Sequence, residues 1–157
     1  MQRGENQEVW SFMESATQVI DALGLEKHPE GGWYTQTWRD GPTSSKDGPR
    51  GAGSAIYYLL EEGQRSHWHK IDAVEIWHYH AGMPIELSIS EDGKSTQIHV
   101  VGPDLQRGMR PQVVVPAKAW QGAYAPFGWS LLGCTVTPAF LFETFELAPK
   151  GWMPGGA

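Results

Sequence analysis

His67 and His69 stand two residues apart in the stretch Arg65-Ser66-His67-Trp68-His69. Residues at i and i+2 on a strand share a face, so this spacing predicts both imidazoles on one side. Five residues separate His69 from Glu75. That is room for a tight turn, after which Glu75 returns on the adjacent strand beside the histidines. Two imidazoles and a carboxylate converging from paired strands are donors suited to Fe, Mn, Zn, Ni or Cu. Without a metal, the same groups make an acid–base or hydrogen-bonding set. A His-x-His on a strand is also a common chance arrangement. Glu75 and the bracketing Gly63 and Gly82 give this one its weight.

Such side chains need strands beneath them. Strand-like segments are read at Trp33–Arg39, Ser54–Leu60, Arg65–Lys70, Val74–His80, Ile85–Ser90, Thr96–Val101, Gln112–Val115, Gly122–Ala125, Ser130–Val136 and Phe140–Leu147. Between them lie turn signals such as Gly82-Met83-Pro84, Glu91-Asp92-Gly93, Gly102-Pro103-Asp104 and Pro126-Phe127-Gly128. Short strands at close spacing, each pair divided by a turn, predict an antiparallel sandwich or barrel. No helical pattern intervenes, which excludes parallel βαβ architecture. Upstream, Val9, Met13, Ala16, Ile20 and Leu23 recur at helical steps, predicting one helix over residues 6–22 with Gly24 as its stop. Residues 40–53 read as a mobile polar loop.

A chain of 157 residues is one domain by size. It divides into a leader and helix (1–22), a barrel (23–148) and a short tail (149–157). The net charge of −6 and the lack of any Lys/Arg-rich run exclude nucleic acid as the main partner. No apolar run approaches the roughly 20 residues that span a bilayer, and MQRGENQEVW lacks the apolar stretch of a signal peptide. Cys134 is the only cysteine, so no intrachain disulfide can form. A cytoplasmic setting is expected. Eight tryptophans exceed what ordinary core packing uses, and some are expected to line a pocket or a subunit interface.

The stretch from Gly63 to Gly82 resembles the first cupin motif, in which Gly precedes His-x-His, then Glu, then six residues to Gly. Three residues rather than five separate Gly63 from His67. Pro116-Ala117-Lys118-Ala119-Trp120-Gln121 resembles the second motif, with Lys118 in place of its glycine and Gln121 in place of its histidine. An amide oxygen is a much poorer transition-metal ligand than imidazole. The segments His28-Pro29-Glu30-Gly31-Gly32-Trp33-Tyr34, Asp72 to His78, Val114 to Ala117 and Gly133 to Pro138 resemble signatures of the fifth cupin family, over about Leu23 to Leu147. That family was long catalogued as a domain of unknown function. The resemblance implies an all-β fold, the double-stranded β-helix (cupin jelly roll), here with a short N-terminal α-helix. It also implies a homodimer. The fold is similar to that of dTDP-4-dehydrorhamnose 3,5-epimerase, which is analogy and not a reaction. His69 and Glu75 are the more characteristic members of the site, and His67 the less.

Parity places Glu75, Trp77 and Tyr79 on one face of their strand and Ile76, His78 and His80 on the other. With Glu75 inside, His78 and His80 point away. His99 is read as a solvent-side residue. Glu143 and Glu146 fall on opposite faces of the last strand, so at most one faces inward. Cys134, among Leu131, Leu132 and Val136, is read as a buried structural thiol.

The expected function is binding of a small polar metabolite in the barrel, with isomerisation or epimerisation of a sugar-like or carbonyl compound as the enzymatic form. His69 and Glu75 would be the catalytic pair. Arg65, His67, Gln121, Glu30, Tyr34 and Trp77 would bind the ligand. Two alternatives stay open. One is a metal-dependent dioxygenase or metal-assisted isomerase, with a divalent transition metal on His67, His69, Glu75 and Gln121. The other is a non-catalytic ligand-binding or sensor module.

Overall fold

The computed structural model describes residues 12, 13 and 15–156. Among the described residues the one α-helix, α1, runs from Ala16 to Leu23. It starts later than the apolar periodicity predicts, because Ser15 is an N-cap. The Ser15 hydroxyl accepts from the Gln18 N–H and the Gln18 side chain accepts from the Ser15 N–H, a reciprocal capping box. Phe12 and Met13 are not helical, and residues 6–11 and 14 lie outside the described residues. Gly24, left-handed at φ 64°, ends the helix as expected. Val19 is the buried contact of α1, against Leu25 and Leu59.

Two antiparallel sheets follow. The first has the order β1 (Glu26–Lys27), β2 (Trp33–Arg39), β3 (Ser54–Leu60), β10 (Ser130–Thr137), β5 (Val74–Gly82) and β8 (Gln112–Val115). The second has β11 (Glu146–Leu147), β4 (Arg65–Lys70), β9 (Trp120–Tyr124), β6 (Ile85–Ser90) and β7 (Gln97–Val101). Five of these strands have the boundaries the sequence predicts, and the two-residue β1 was not foreseen. The architecture is a jelly roll. Its core lies between the sheets, where Tyr58, Leu60, Trp77, Leu87, Val115 and Leu132 are sealed from solvent. No helix among the described residues is long and apolar enough to cross a membrane.

Two segments differ from expectation. Residues 40–53 are pinned rather than loose, since the Asp40 N–H donates to the Gly53 carbonyl and the Ala52 N–H to the Asp40 carboxylate. Within them, Ser45–Asp47 forms a 3-10 turn. The expected strand Phe140–Leu147 is instead a 3-10 turn, Phe142–Thr144, followed by the two residues of β11. The reason is anchoring. The Glu143 carboxylate accepts from both the N–H and the hydroxyl of Ser45 at 2.6 Å, and Phe140, Phe142 and Phe145 pack edge to face against one another. Glu146 is exposed, 3.4 Å from Lys70. Neither Glu143 nor Glu146 therefore faces the interior.

Candidate functional site

A cavity of about 270 Å³ opens between the two sheets. The first sheet supplies Tyr34, Arg39, Ile56, Glu75 and Cys134, and the second supplies His69, with Ile71 just beyond the end of β4. The three phenylalanines around the 3-10 turn form one wall. Four titratable groups meet at its inner end: His28, Glu30, His69 and Glu75.

Glu75 and Trp77 face inward from β5, as parity predicts, and both are buried. Glu75 is held from behind. The Trp77 indole N–H donates to the Gln121 amide oxygen at 2.8 Å, and the Gln121 amide nitrogen donates to Glu75 Oε2 at 2.7 Å. Gln121 is fully buried and stands opposite His69 across the β4–β9 ladder. Trp77 and Gln121 are thus supports behind the cavity wall.

His67 and His69 do not share a face. The β4–β9 ladder breaks between Ser66 and His69, and this bulge shifts the alternation by a residue. Ser66 and His69 are buried. His67 is turned out, with Nε2 donating to the Ala148 and Pro149 carbonyls at 3.0 and 3.2 Å. Its backbone N–H leaves the ladder and donates to the Glu30 carbonyl at 2.8 Å.

That bond marks what fills the gap. Residues 28–32 lie against β4 and deliver Glu30 to His69. Gly31 makes the approach feasible, since a Cβ there would sit 2.2 Å from the Arg65 carbonyl oxygen, and its φ of 109° also suits glycine alone. Glu30 Oε2 is 3.1 Å from His69 Nε2, both side chains being buried. His69 Nδ1 is 2.7 Å from the His67 carbonyl. A carbonyl only accepts, so Nδ1 carries a hydrogen and Nε2 presents its lone pair when the ring is neutral. His28 has the opposite tautomer, because its Nδ1 accepts the Glu30 N–H at 3.1 Å.

Burial sets the charges here. It pushes the Glu30 carboxyl up to about 8 and the Glu75 carboxyl up to about 7, the latter partly offset by His69. It holds His28 down to about 4 and lowers His69. A proton between Glu30 and His69 accordingly resides on the carboxyl, which donates to Nε2. Cys134, beside Glu75, is pushed well up by burial and is a thiol at neutral pH.

The structure brings Glu30, Tyr34, His69 and Glu75 to the cavity and places Arg65 and His67 elsewhere. Arg65 lies on the exposed side of β4, 3.9 Å over the Tyr124 ring. The four residues expected to hold a divalent transition metal do not fit one. The His67 ring points away, the Gln121 oxygen is occupied by an indole N–H, and His69 Nε2 faces Glu30. Among the described residues no three His, Cys, Asp or Glu side chains form a metal-ligating cluster. Two ionisable cavity residues escaped the sequence reading. His28 stood in the quoted segment His28 to Tyr34 but carried no spacing signal, and Arg39 is an ordinary strand-end residue in sequence.

The family model described as Cupin superfamily (DUF985) matches residues 17–148. A crystal structure of a protein from Shewanella oneidensis is 37% identical, covers 87% of this chain and 85% of its own, and has a TM-score of 0.79. A hypothetical protein from Leishmania major is 29% identical, with coverage of 88% and 89% and a TM-score of 0.78. Oxalate decarboxylase from Bacillus subtilis shares the fold alone, at 12% identity and a TM-score of 0.58 over 77% of this chain and 29% of that one. No curated protein matches the sequence.

Proposed function

Since the chain belongs to the DUF985 family of the cupin superfamily, we propose that it takes a small carbonyl compound or sugar-like metabolite into the barrel and isomerises it by moving a proton. The observation that carries this reading is the contact of Glu30 with His69 beside Glu75, at the closed end of a cavity between the sheets. The two carboxyl groups differ in what they face: Glu75 Oε2 accepts from the Gln121 amide, as a carboxylate does, and Glu30 faces the bare Nε2 of His69, as a protonated carboxyl does. Glu75, at about 7, is substantially ionised at neutral pH and is the base. Glu30, at about 8, keeps its proton and is the acid, with His69 as its hydrogen-bonded partner.

In the reaction, the Glu75 carboxylate takes a proton from the carbon next to the carbonyl. The electron pair of that C–H bond moves to the carbonyl oxygen, towards which the Glu30 carboxyl turns its O–H from His69 Nε2, so that the oxygen takes up that proton. Glu75 returns its proton to the former carbonyl carbon while the hydroxyl on the carbon first deprotonated gives its proton to Glu30, which moves the carbonyl by one carbon and restores both side chains. Apolar walls exclude water and strengthen each of these interactions.

The test is proton exchange. The full chain is incubated in D₂O with a panel of small ketoses, aldoses and keto acids, and deuterium entry next to the carbonyl is followed by NMR. Wash-in that falls about 100-fold or more in Glu75→Gln supports the reading, since general base catalysis contributes 10²–10⁴-fold. Saturable binding with no wash-in would replace it with a non-catalytic binding module.

A further inference from the structure

Arg39 lines the cavity, and its surroundings lack what a guanidinium ordinarily has. Its Nη1 donates to the Pro42 carbonyl at 3.3 Å and its Nη2 to the Phe140 carbonyl at 2.6 Å. Its Nε is closed off from solvent and has no hydrogen-bond partner in the protein. Among the described residues no carboxylate lies within ion-pair distance of it. The neighbouring Asp40 carboxylate is committed to the Ala52 N–H.

Arg50 makes the contrast. It grips the adjacent piece of chain in the same way, Nε to the Ala139 carbonyl at 2.7 Å, yet it holds Asp72 with both Nη atoms at 2.9 Å. Of two arginines clamping residues 139–140, one has its counter-charge and the other faces a cavity without one. Buried and half-buried polar groups normally find partners, and a guanidinium prefers a carboxylate that can accept two bonds.

We propose that Arg39 is a specificity residue that binds the carboxylate of a small monoanionic ligand, whose apolar body lies along Ile56, Val136, Phe140 and Phe145 and whose other end reaches the Glu30–His69–Glu75 cluster. Among the described residues Arg39 is the only Arg or Lys lining the cavity, so one negative charge is matched and a phosphate dianion is not. The rest of the lining agrees. Glu30 is held towards its neutral acid form and both histidines towards neutral imidazole, so the guanidinium is the positive charge that lines the cavity opposite the Glu75 base. The substrate class becomes a carbonyl compound that also bears a carboxylate. This rests on reading the cavity as a ligand site.

The test is calorimetric and NMR titration of the full chain with three matched series of four- to eight-carbon compounds: aliphatic and aryl keto acids, their primary amides, and alkyl phosphates of equal length. The acids are expected to bind about tenfold or more tightly than the amides, the scale of a charge-assisted hydrogen bond. Arg39→Gln should lose that factor for the acids alone, and Arg39→Lys should recover part of it. A near-UV circular dichroism spectrum and a urea midpoint like the parent's show that the Arg39→Gln variant is folded. Amides that match acids, acids indifferent to Arg39→Gln, or phosphates that bind tenfold more tightly than the acids would each overturn the assignment while leaving the cavity reading in place. Absence of binding in all three series would overturn both.

Discussion

The molecule carries two His-x-His pairs on adjacent lengths of chain, and they behave differently. On β5, His78 and His80 point to the same side. Their rings stack at 6.4 Å and 10°, on the outer face of the sheet, and His78 meets Thr135 while His80 meets Tyr57. On β4 a bulge splits His67 from His69, one tying down the C-terminal tail and the other entering the cavity. The difference lies in the ladder. β5 is paired with β10 without interruption from Val74 to Tyr79 and with β8 from Glu75 to His78, and its own bulge, at His80, comes after the residues that face the cavity. At the corresponding point β4 gives up its pairing with β9 and takes the 28–32 segment as a partner. Period-two alternation is a property of an intact ladder, and a functional side chain can be aimed by breaking it.

The largest expected separation is between His69 and the outer pair. His69→Ala or Glu30→Gln should reduce proton exchange about 100-fold or more, while His78→Ala stays within about twofold of the parent. Equal losses on both strands would dissolve the distinction. The next effect is in pH dependence. Glu30 carries its proton in the folded state up to about 8 and releases it near 4.5 when unfolded. The folded state therefore binds more protons above 4.5, and stability falls as pH rises towards 8. The buried histidines act in the opposite sense, lowering stability as pH falls below 6.5 towards about 4 for His28. Between pH 6.5 and 8 the carboxyl groups act alone. Urea midpoints should decline there, by on the order of 1 kcal/mol per pH unit per group. Glu30→Gln should remove much of that slope, and a slope unchanged in this variant would place the shifted proton elsewhere. Smaller again is His67→Ala, expected to cost about 1 kcal/mol by releasing the Ala148 and Pro149 carbonyls, with exchange activity kept. Loss of exchange with unaltered stability would return His67 to the site. The least is expected at His80, which is exposed, where Ala should cost about 0.5 kcal/mol or less in thermal denaturation.

Regular β segments announced themselves in the sequence, since alternation and turn residues fix β2, β3, β4, β6 and β8 to the residue. The inward turn of Glu75 with Trp77, and the outward turn of His78 and His80, follow from the same rule. What alternation cannot convey is its own interruption. Nothing local to Arg65–Lys70 encodes the bulge, which exists because a segment more than 30 residues upstream docks there. Gly31-Gly32 stood in a segment quoted for its family resemblance, but the surface that segment lies against was not readable. Three phenylalanines within Phe140–Phe145 looked like strand residues, whereas the Ser45–Glu143 contact bends them into a turn. Arg39 becomes meaningful only once the absence of an acid near it can be seen in space.

The hydrogen-bonded chain from Trp77 through Gln121 to Glu75 has a stereochemical consequence. An indole nitrogen can only donate, so Gln121 must turn its oxygen to Trp77 and its amine to Glu75. Glu75 Oε2 is thereby always met by a donor, and Oε1 is left as the oxygen that takes up a proton. On the proposed reaction, a base that can load only one of its two oxygens removes hydrogen from one enantiotopic face of the bound molecule and leaves the other untouched. Chirality of the product would then be decided two residues behind the cavity wall, by a tryptophan the ligand does not touch.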